Sequence, residues 1–256
     1  MKNKNNPSAD SARRLALLWG SQTNPGRSGL TLKAIIDAAI AIADTQGIQS
    51  LSMRSVAERL GAGTMSLYTH VPSKTELIDL MLDTVYGQVY QSVEEPSSQP
   101  GDWQAAMRFI AQRNWALFKQ HPWMLALGSA RPGLGPNASL KYEAELRPLD
   151  QLGLTDVEMD ATLTLILTHV EGCARTHAAA QSIRQDTGIN DAEWWVTQAP
   201  LLEKLVDPAR FPIASRVGTS AGEQYQSVSD PEFLLTFGLD RILAGISDLI
   251  RTKKGV

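Results

Sequence analysis

The chain has 256 residues, of which 43% are hydrophobic and 20% charged, enough for two modest globular domains. A single cysteine, Cys173, excludes an intrachain disulfide, and no apolar run approaches the ~20 residues that span a bilayer. The first residues carry charge without an apolar stretch behind them, so no secretory signal is read and a cytoplasmic location is expected. The net charge of −3 hides an asymmetry: residues 1–75 hold nine Lys or Arg against four Asp or Glu, and the remainder holds 15 against 23. A basic head on an acidic body suggests an anion-binding module joined to a body with another task.

Residues 1–30 are rich in Asn, Ser, Gly and Pro and are expected to form a flexible arm, with a short helical possibility at Ser11–Trp19. Arg13, Arg14 and Arg27 in this arm could touch phosphate or remain solvated. Thr31 can cap a helix to about Gln46, where Leu32, Ile35, Ile36, Ala39, Ile42 and Ala43 repeat at helical spacing and Gly47 ends the run. A second helix is expected over about 53–60 with Ser52 as its cap, and a third over about 64–70. Val71 precedes Pro72, which disfavours the α region and stops that third helix. Ser73-Lys-Thr-Glu76 reads as a capping box opening a helix to about Val93, with Leu77, Leu80, Met81, Thr84 and Val85 inward. Glu94–Gly101 is a turn or linker. Further helices are expected near 102–119, 122–129, 138–152, 155–184, 191–205 and 230–251, with a polar stretch at 207–229 left between the last two. The fold class is all-α: a helix-turn-helix head over 31–76, then a helical effector-binding and dimerisation body over 77–256.

Residues 52–76 fit a helix-turn-helix, whose second helix enters the major groove. Ala57 permits close helix packing, Gly61 supplies the tight turn and Leu67 anchors the second helix. The exposed face would then carry Thr64, Met65, Ser66 and Thr69, with His70 beside them, giving hydroxyls for base edges and a methyl-bearing side chain for a thymine methyl, while Tyr68 could donate its hydroxyl to a phosphate with its ring packed below. Arg54 and Lys74 stand near helix starts, placed to hold phosphates. A helical hairpin that touches no DNA is the plainer reading, but turn, stop, cap and local charge all agree with a DNA reader.

These residues resemble the tetracycline-repressor (TetR) family of transcriptional regulators. Ala38-Ala39, Gly47, Leu51-Ser-Met-Arg54, Val56-Ala-Glu-Arg-Leu-Gly61, Leu67-Tyr68, His70-Val71 and Lys74 carry the likeness. It implies a homodimer whose two heads read a palindromic operator through Arg54, Thr64, Met65, Ser66, Tyr68, Thr69, His70 and Lys74. Thr69 departs from the aromatic usual there. The body is similar to that of the tetracycline repressor at His121-Pro-Trp123, Gly133-Leu-Gly-Pro-Asn137, Leu152-Gly-Leu154 and Phe237-Gly-Leu239. That likeness implies a small-molecule pocket and a dimer interface. The tetracycline repressor holds its magnesium–drug chelate through a histidine near the position of Ala126, and without that histidine the likeness does not extend to tetracycline and its metal.

Trp103, Trp115, Phe118, Trp123, Met124 and Leu127, with His169 and Cys173, are the candidate effector contacts; Trp194 belongs to the same aromatic set. Such side chains suit a flat apolar ligand, and each reads equally as plain core. Small residues in Glu171–Ala180 and the stripe Leu235, Leu239, Ile242, Ile246 and Leu249 suggest a four-helix dimer interface, unless that stripe packs within its own subunit. No Glu-x-x-His metal motif, Gly-x-Ser-x-Gly elbow or phosphate loop is present, so neither catalysis nor a cofactor nor a metal is expected. The expected function is a ligand-responsive repressor released from its operator by a small apolar or aromatic effector. An activator of the same fold, or a helical ligand-binding module without DNA affinity, remains open at this point.

Overall fold

Apolar residues at helical spacing, closed by local caps, build the elements of the computed structural model, which describes residues 7–20, 30–127, 133–253 and 255. In chain order these are α1 (Pro7–Trp19), α2 (Leu32–Gln46), α3 (Met53–Arg59), α4 (Thr64–Tyr68), α5 (Lys74–Tyr86), α6 (Trp103–Gln120), α7 (Pro136–Leu146), α8 (Asp156–Thr187), α9 (Asp191–Leu205), α10 (Pro212–Tyr225) and α11 (Pro231–Lys253). Short 3-10 turns lie at Ile48–Ser50, Pro122–Ala126 and Arg147–Leu149. The fold is all-α, with no strand among the described residues. No helix among them is long and apolar enough to cross a membrane. Two compact units result, Met1–Leu163 and Thr164–Val256.

The caps explain where the head helices begin. Thr31 is extended, and its Oγ1 accepts the Ala34 N–H at 3.1 Å. Gly47 ends α2 at φ 79°, in the left-handed region where a Cβ is costly. Ser52 accepts the Ser55 N–H at 3.0 Å and opens α3. Ser73 accepts the Glu76 N–H at 3.4 Å and opens α5. The reciprocal half of the expected box differs: the Ser73 hydroxyl donates to the Glu76 carboxylate, and Glu76 is buried.

Several sequence-based expectations change. The helix expected in the arm over Ser11–Trp19 begins earlier, at Pro7, and lies on α5: Arg14 pairs with Asp79 at 2.5 Å, and Leu17 and Leu18 pack on the head core. Arg27 lies outside the described residues. α5 stops at Tyr86 instead of about Val93, with Gly87 as its C-cap; a Cβ there would come within 2.9 Å of the Asn137 side chain. The helix expected near 122–129 is a 3-10 turn to Ala126, and its residues 128–129 fall outside the described part. The helix expected near 138–152 begins earlier, with Pro136 in its first turn, and gives way to the 3-10 turn at Arg147–Leu149. The stretch left between helices contains α10. Pro212 opens it, and Ile213, Val217, Ala221 and Tyr225 recur every fourth residue. Gly222 there lets the Trp195 indole approach, 2.5 Å from where a Cβ would stand.

One apolar cluster in the first unit ties the head to the end of α6. It joins Ile35, Ala39 and Ile42 of α2 to Val56, Leu67, Leu77 and Met81, and it includes Leu117, Trp123 and Met124 from α6 and the turn after it. Burying one such side chain is worth about 1.5–3 kcal/mol. The cluster therefore crosses the boundary expected after residue 76.

Two polar devices fix α7 in the same unit. Asp83 of α5 accepts the Ala138 N–H at 2.9 Å and the Asn137 side-chain N–H at 3.1 Å. Its carboxylate thus caps a helix 55 residues away, whose own N-cap, Gly135, has no side chain to do so. Beneath α7 the Glu145 carboxylate is fully buried and receives Tyr90 Oη at 2.8 Å, Asn114 Nδ2 at 2.7 Å and Lys141 Nζ at 2.7 Å. Burial, and then the Glu145 charge, push the Tyr90 hydroxyl above its ordinary pKa, so it keeps its proton and donates.

Candidate nucleic-acid interface

Gly61 makes the turn between α3 and α4 at φ 62°. The Ala62 N–H closes that turn on the Ala57 carbonyl at 3.0 Å. Ala57, Leu67 and Val71 are buried, which fixes α4 against α3 and leaves its opposite face outward. Met65 is 77% exposed and Tyr68 43% exposed on that face. Thr69 is also exposed, and its hydroxyl donates to the Ser66 carbonyl at 2.7 Å. Thr64, Ser66 and His70 are half-buried around them.

The two expected phosphate-holding cations flank this face. Lys74 is the first residue of α5 and is exposed. Arg54 lies in the first turn of α3 and is paired along its own helix, Nε to Glu58 at 2.7 Å. That bond, with the Glu58 charge behind it, raises the Arg54 pKa above its ordinary value. An exposed i,i+4 pair is weak and can exchange for a phosphate at little cost. The eight expected DNA-contacting residues thus fall on one head.

The expected effector residues of the first unit divide. Trp123 and Met124 are 3% and 7% exposed and belong to the apolar cluster, against which Phe118 and Leu127 also pack. Trp123 and Met124 are core side chains of the joint between head and α6. Trp115 is buried on α6 under the Lys119 ammonium, 5.8 Å from the ring centre, and Trp103 is half-buried at the start of α6. A cavity of about 180 Å³ opens elsewhere, among Tyr86, Tyr90, Asn137, Leu140 and Lys141, and none of the expected effector residues lines it.

In the second unit, His169 Nε2 is 3.1 Å from the Leu235 carbonyl, and its ring lies where a Cβ at Gly238 would stand. Cys173 is buried beside it, Sγ 3.9 Å from His169 Nε2, and burial raises its thiol pKa. His169 is thereby committed to the α8–α11 contact. Leu235 and Leu239 of the expected dimer stripe are already buried in the single chain, as are Leu243 and Ile250. Ile242, Ile246 and Leu249 stay half-exposed. Exposed Phe233 stacks on exposed Phe237 with ring centres 5.8 Å apart. The sequence pattern missed this pair because it lies off the stripe; Trp194 is exposed on α9.

A buried-anchor turn, an outward reading helix and a helical body define a helix-turn-helix regulator. Residues 35–81 match the model of the bacterial regulatory proteins of the tetR family, and residues 95–250 match the tetracyclin repressor-like C-terminal domain. The chain belongs to the tetR family of bacterial regulatory proteins. It is 39% identical to the HTH-type transcriptional repressor DrrR1 of Streptomyces coeruleorubidus over 97% of this chain and 90% of that one. ActR of Streptomyces coelicolor in complex with actinorhodin aligns at TM-score 0.69 and 27% identity, covering 84% of this chain and 94% of that one. ActR in complex with (S)-DNPA aligns at TM-score 0.68 and 26% identity, covering 88% and 99%.

Proposed function

We propose that this transcriptional regulator is a cytoplasmic repressor that holds a palindromic operator as a homodimer and releases it when a flat, largely apolar small molecule binds. The outward α4 face, set by buried Leu67 and Val71 and flanked by Lys74, is the observation that carries the reading. DrrR1 is named a repressor, which favours repression over activation, and ActR holds actinorhodin in its complex, which favours a small-molecule effector. Arg54 and Lys74 hold phosphates in this reading, Tyr68 donates its hydroxyl to a third, and Thr64, Met65, Ser66, Thr69 and His70 meet base edges. Trp103 and Trp115 on α6 are the candidate effector contacts. Ile242, Ile246 and Leu249, with Phe233 and Phe237, are the candidate dimer contacts.

Release needs a ligand that prefers one of two head separations. In the bound state two recognition helices would sit ~34–36 Å apart in successive major grooves. α5 is the mechanical link, because its first residue is Lys74 and its third turn carries Asp83, the cap of α7. A coupling of ~1–3 kcal/mol would lower operator affinity about 5–150-fold.

Selection of bound duplexes from a random pool tests the reading. Two-fold symmetric half-sites should emerge; a pool that enriches nothing would remove DNA from the function. For Lys74→Ala, affinity should fall alike for all sequences and the salt slope should drop by about one unit. A loss confined to one base pair, seen in salt-titrated binding to a panel of operator variants, would contradict the phosphate role.

A further inference from the structure

A reading head joined to its body by one helix can still rotate about that helix. α5 supplies this one link, and a second stands off its axis. Asp44, near the end of α2, accepts two hydrogen bonds on a single oxygen from the turn after α6. His121 Nδ1 lies 2.8 Å from Asp44 Oδ1, and Trp123 Nε1 lies 2.7 Å from the same atom. Both rings are buried, 3% exposed each, and pack edge-on with centres 6.2 Å apart.

A carboxylate only accepts, so His121 Nδ1 carries a hydrogen and donates it to Asp44. His121 Nε2 is then buried with no partner among the described residues. An orphaned buried nitrogen is a cost that an apolar side chain of similar shape would avoid. The chain carries it at the place where one histidine nitrogen reaches the head. Around this point Ala43, Leu117, Trp123 and Met124 share one apolar cluster, whose attraction has no direction and permits sliding. Two bonds converging on one oxygen do not.

We infer that Asp44, His121 and Trp123 form a clasp that sets the angle of the reading head, and so the operator half-site spacing that the dimer accepts. The inference rests on the operator reading above. Asp44 is a positioning residue: it lies on the head but not on the α4 face.

The test uses the full-length protein and three duplexes carrying the selected half-sites, at the selected spacing and one base pair longer or shorter. Wild-type protein should prefer the selected spacing by about tenfold, within the usual range of site coupling. Asp44→Ala should flatten that preference while its affinity for a single half-site stays within about twofold of wild type, since no α4 residue changes. Asp44→Asn keeps an acceptor oxygen and should keep the preference. Trp123→Phe removes one donor and retains a ring, and should weaken the preference; it carries the test if Asp44→Ala does not fold. Wild-type spacing preference in folded Asp44→Ala or in Trp123→Phe would overturn the clasp. Loss of preference in Asp44→Asn would assign the effect to charge and overturn it as well. A wild-type protein that binds the selected duplex with no spacing preference would refute the dimeric operator reading itself.

Discussion

Glu145→Ala should lower the unfolding free energy by about 3–5 kcal/mol, read from urea denaturation, because it strips a buried ion pair of one partner. Lys141 is its counter-ion at 2.7 Å, and the two side chains are 10% and 2% exposed. The variant leaves the Lys141 ammonium buried without its carboxylate. It also leaves Tyr90, a donor whose proton is held tightly, and Asn114 without their acceptor. The loss thus measures three abandoned donors and not one contact. Joining Glu145→Leu to Lys141→Met removes both charges and should recover only the part of the loss that belongs to the stranded ammonium, because Tyr90 and Asn114 still lack their acceptor. An additive double variant would show that Lys141 and Glu145 do not act as a pair.

Gly135→Ala is expected to cost about 2–3 kcal/mol, the range of a core made too full. A methyl group there would fall inside the Asp83 carboxylate, which is itself fixed by the N-terminus of α7. Moving Asp83 away relieves the clash but uncaps α7, a further ~1 kcal/mol. Asp83→Ala on its own loses the cap and the bond from the Asn137 side chain, without any clash. Combining the two substitutions should therefore cost less than their sum, by about the clash energy. Thermal unfolding of the four proteins checks this, and simple additivity would mean that Asp83 does not set the space at Gly135.

The difference between what the sequence announces and what it conceals follows from distance along the chain. Thr31, Ser52, Ser73, Gly47, Gly61 and Pro72 act within four residues of themselves, so the head helices and their turn were legible, as was the outward face of α4. Asp83 caps a helix 55 residues away, and Asp44 meets Trp123 across 79 residues. A single carboxylate on a helical pattern gives no sign of either. The aromatic residues after α6 suggested a ligand lining because a pocket wall and a core use the same side chains. The Trp123 bond to Asp44 and its burial in the head cluster are features that no spacing of aromatic residues announces. α10 was hidden by Gly218 and Gly222, which dilute its i,i+4 stripe. α1 was legible over Ser11–Trp19, but the polar composition around it gave no sign that it begins at Pro7 or lies on α5.

The apolar cluster that runs from α2 through α5 to Leu117, Trp123 and Met124 gives the head and the start of the body a common fate. A regulator cut after Glu76 would leave the inner faces of α2 and α3 without the α5 and α6 side chains that cover them. Local opening of the reading helices should thus require opening of the α6 end as well, and amide exchange should report both with one free energy. The transplantable piece is then not the 46-residue reading motif over 31–76. It is that motif together with the stretch of body that closes it, so a graft onto a foreign body must rebuild the seam at Leu117–Met124 before it can read DNA.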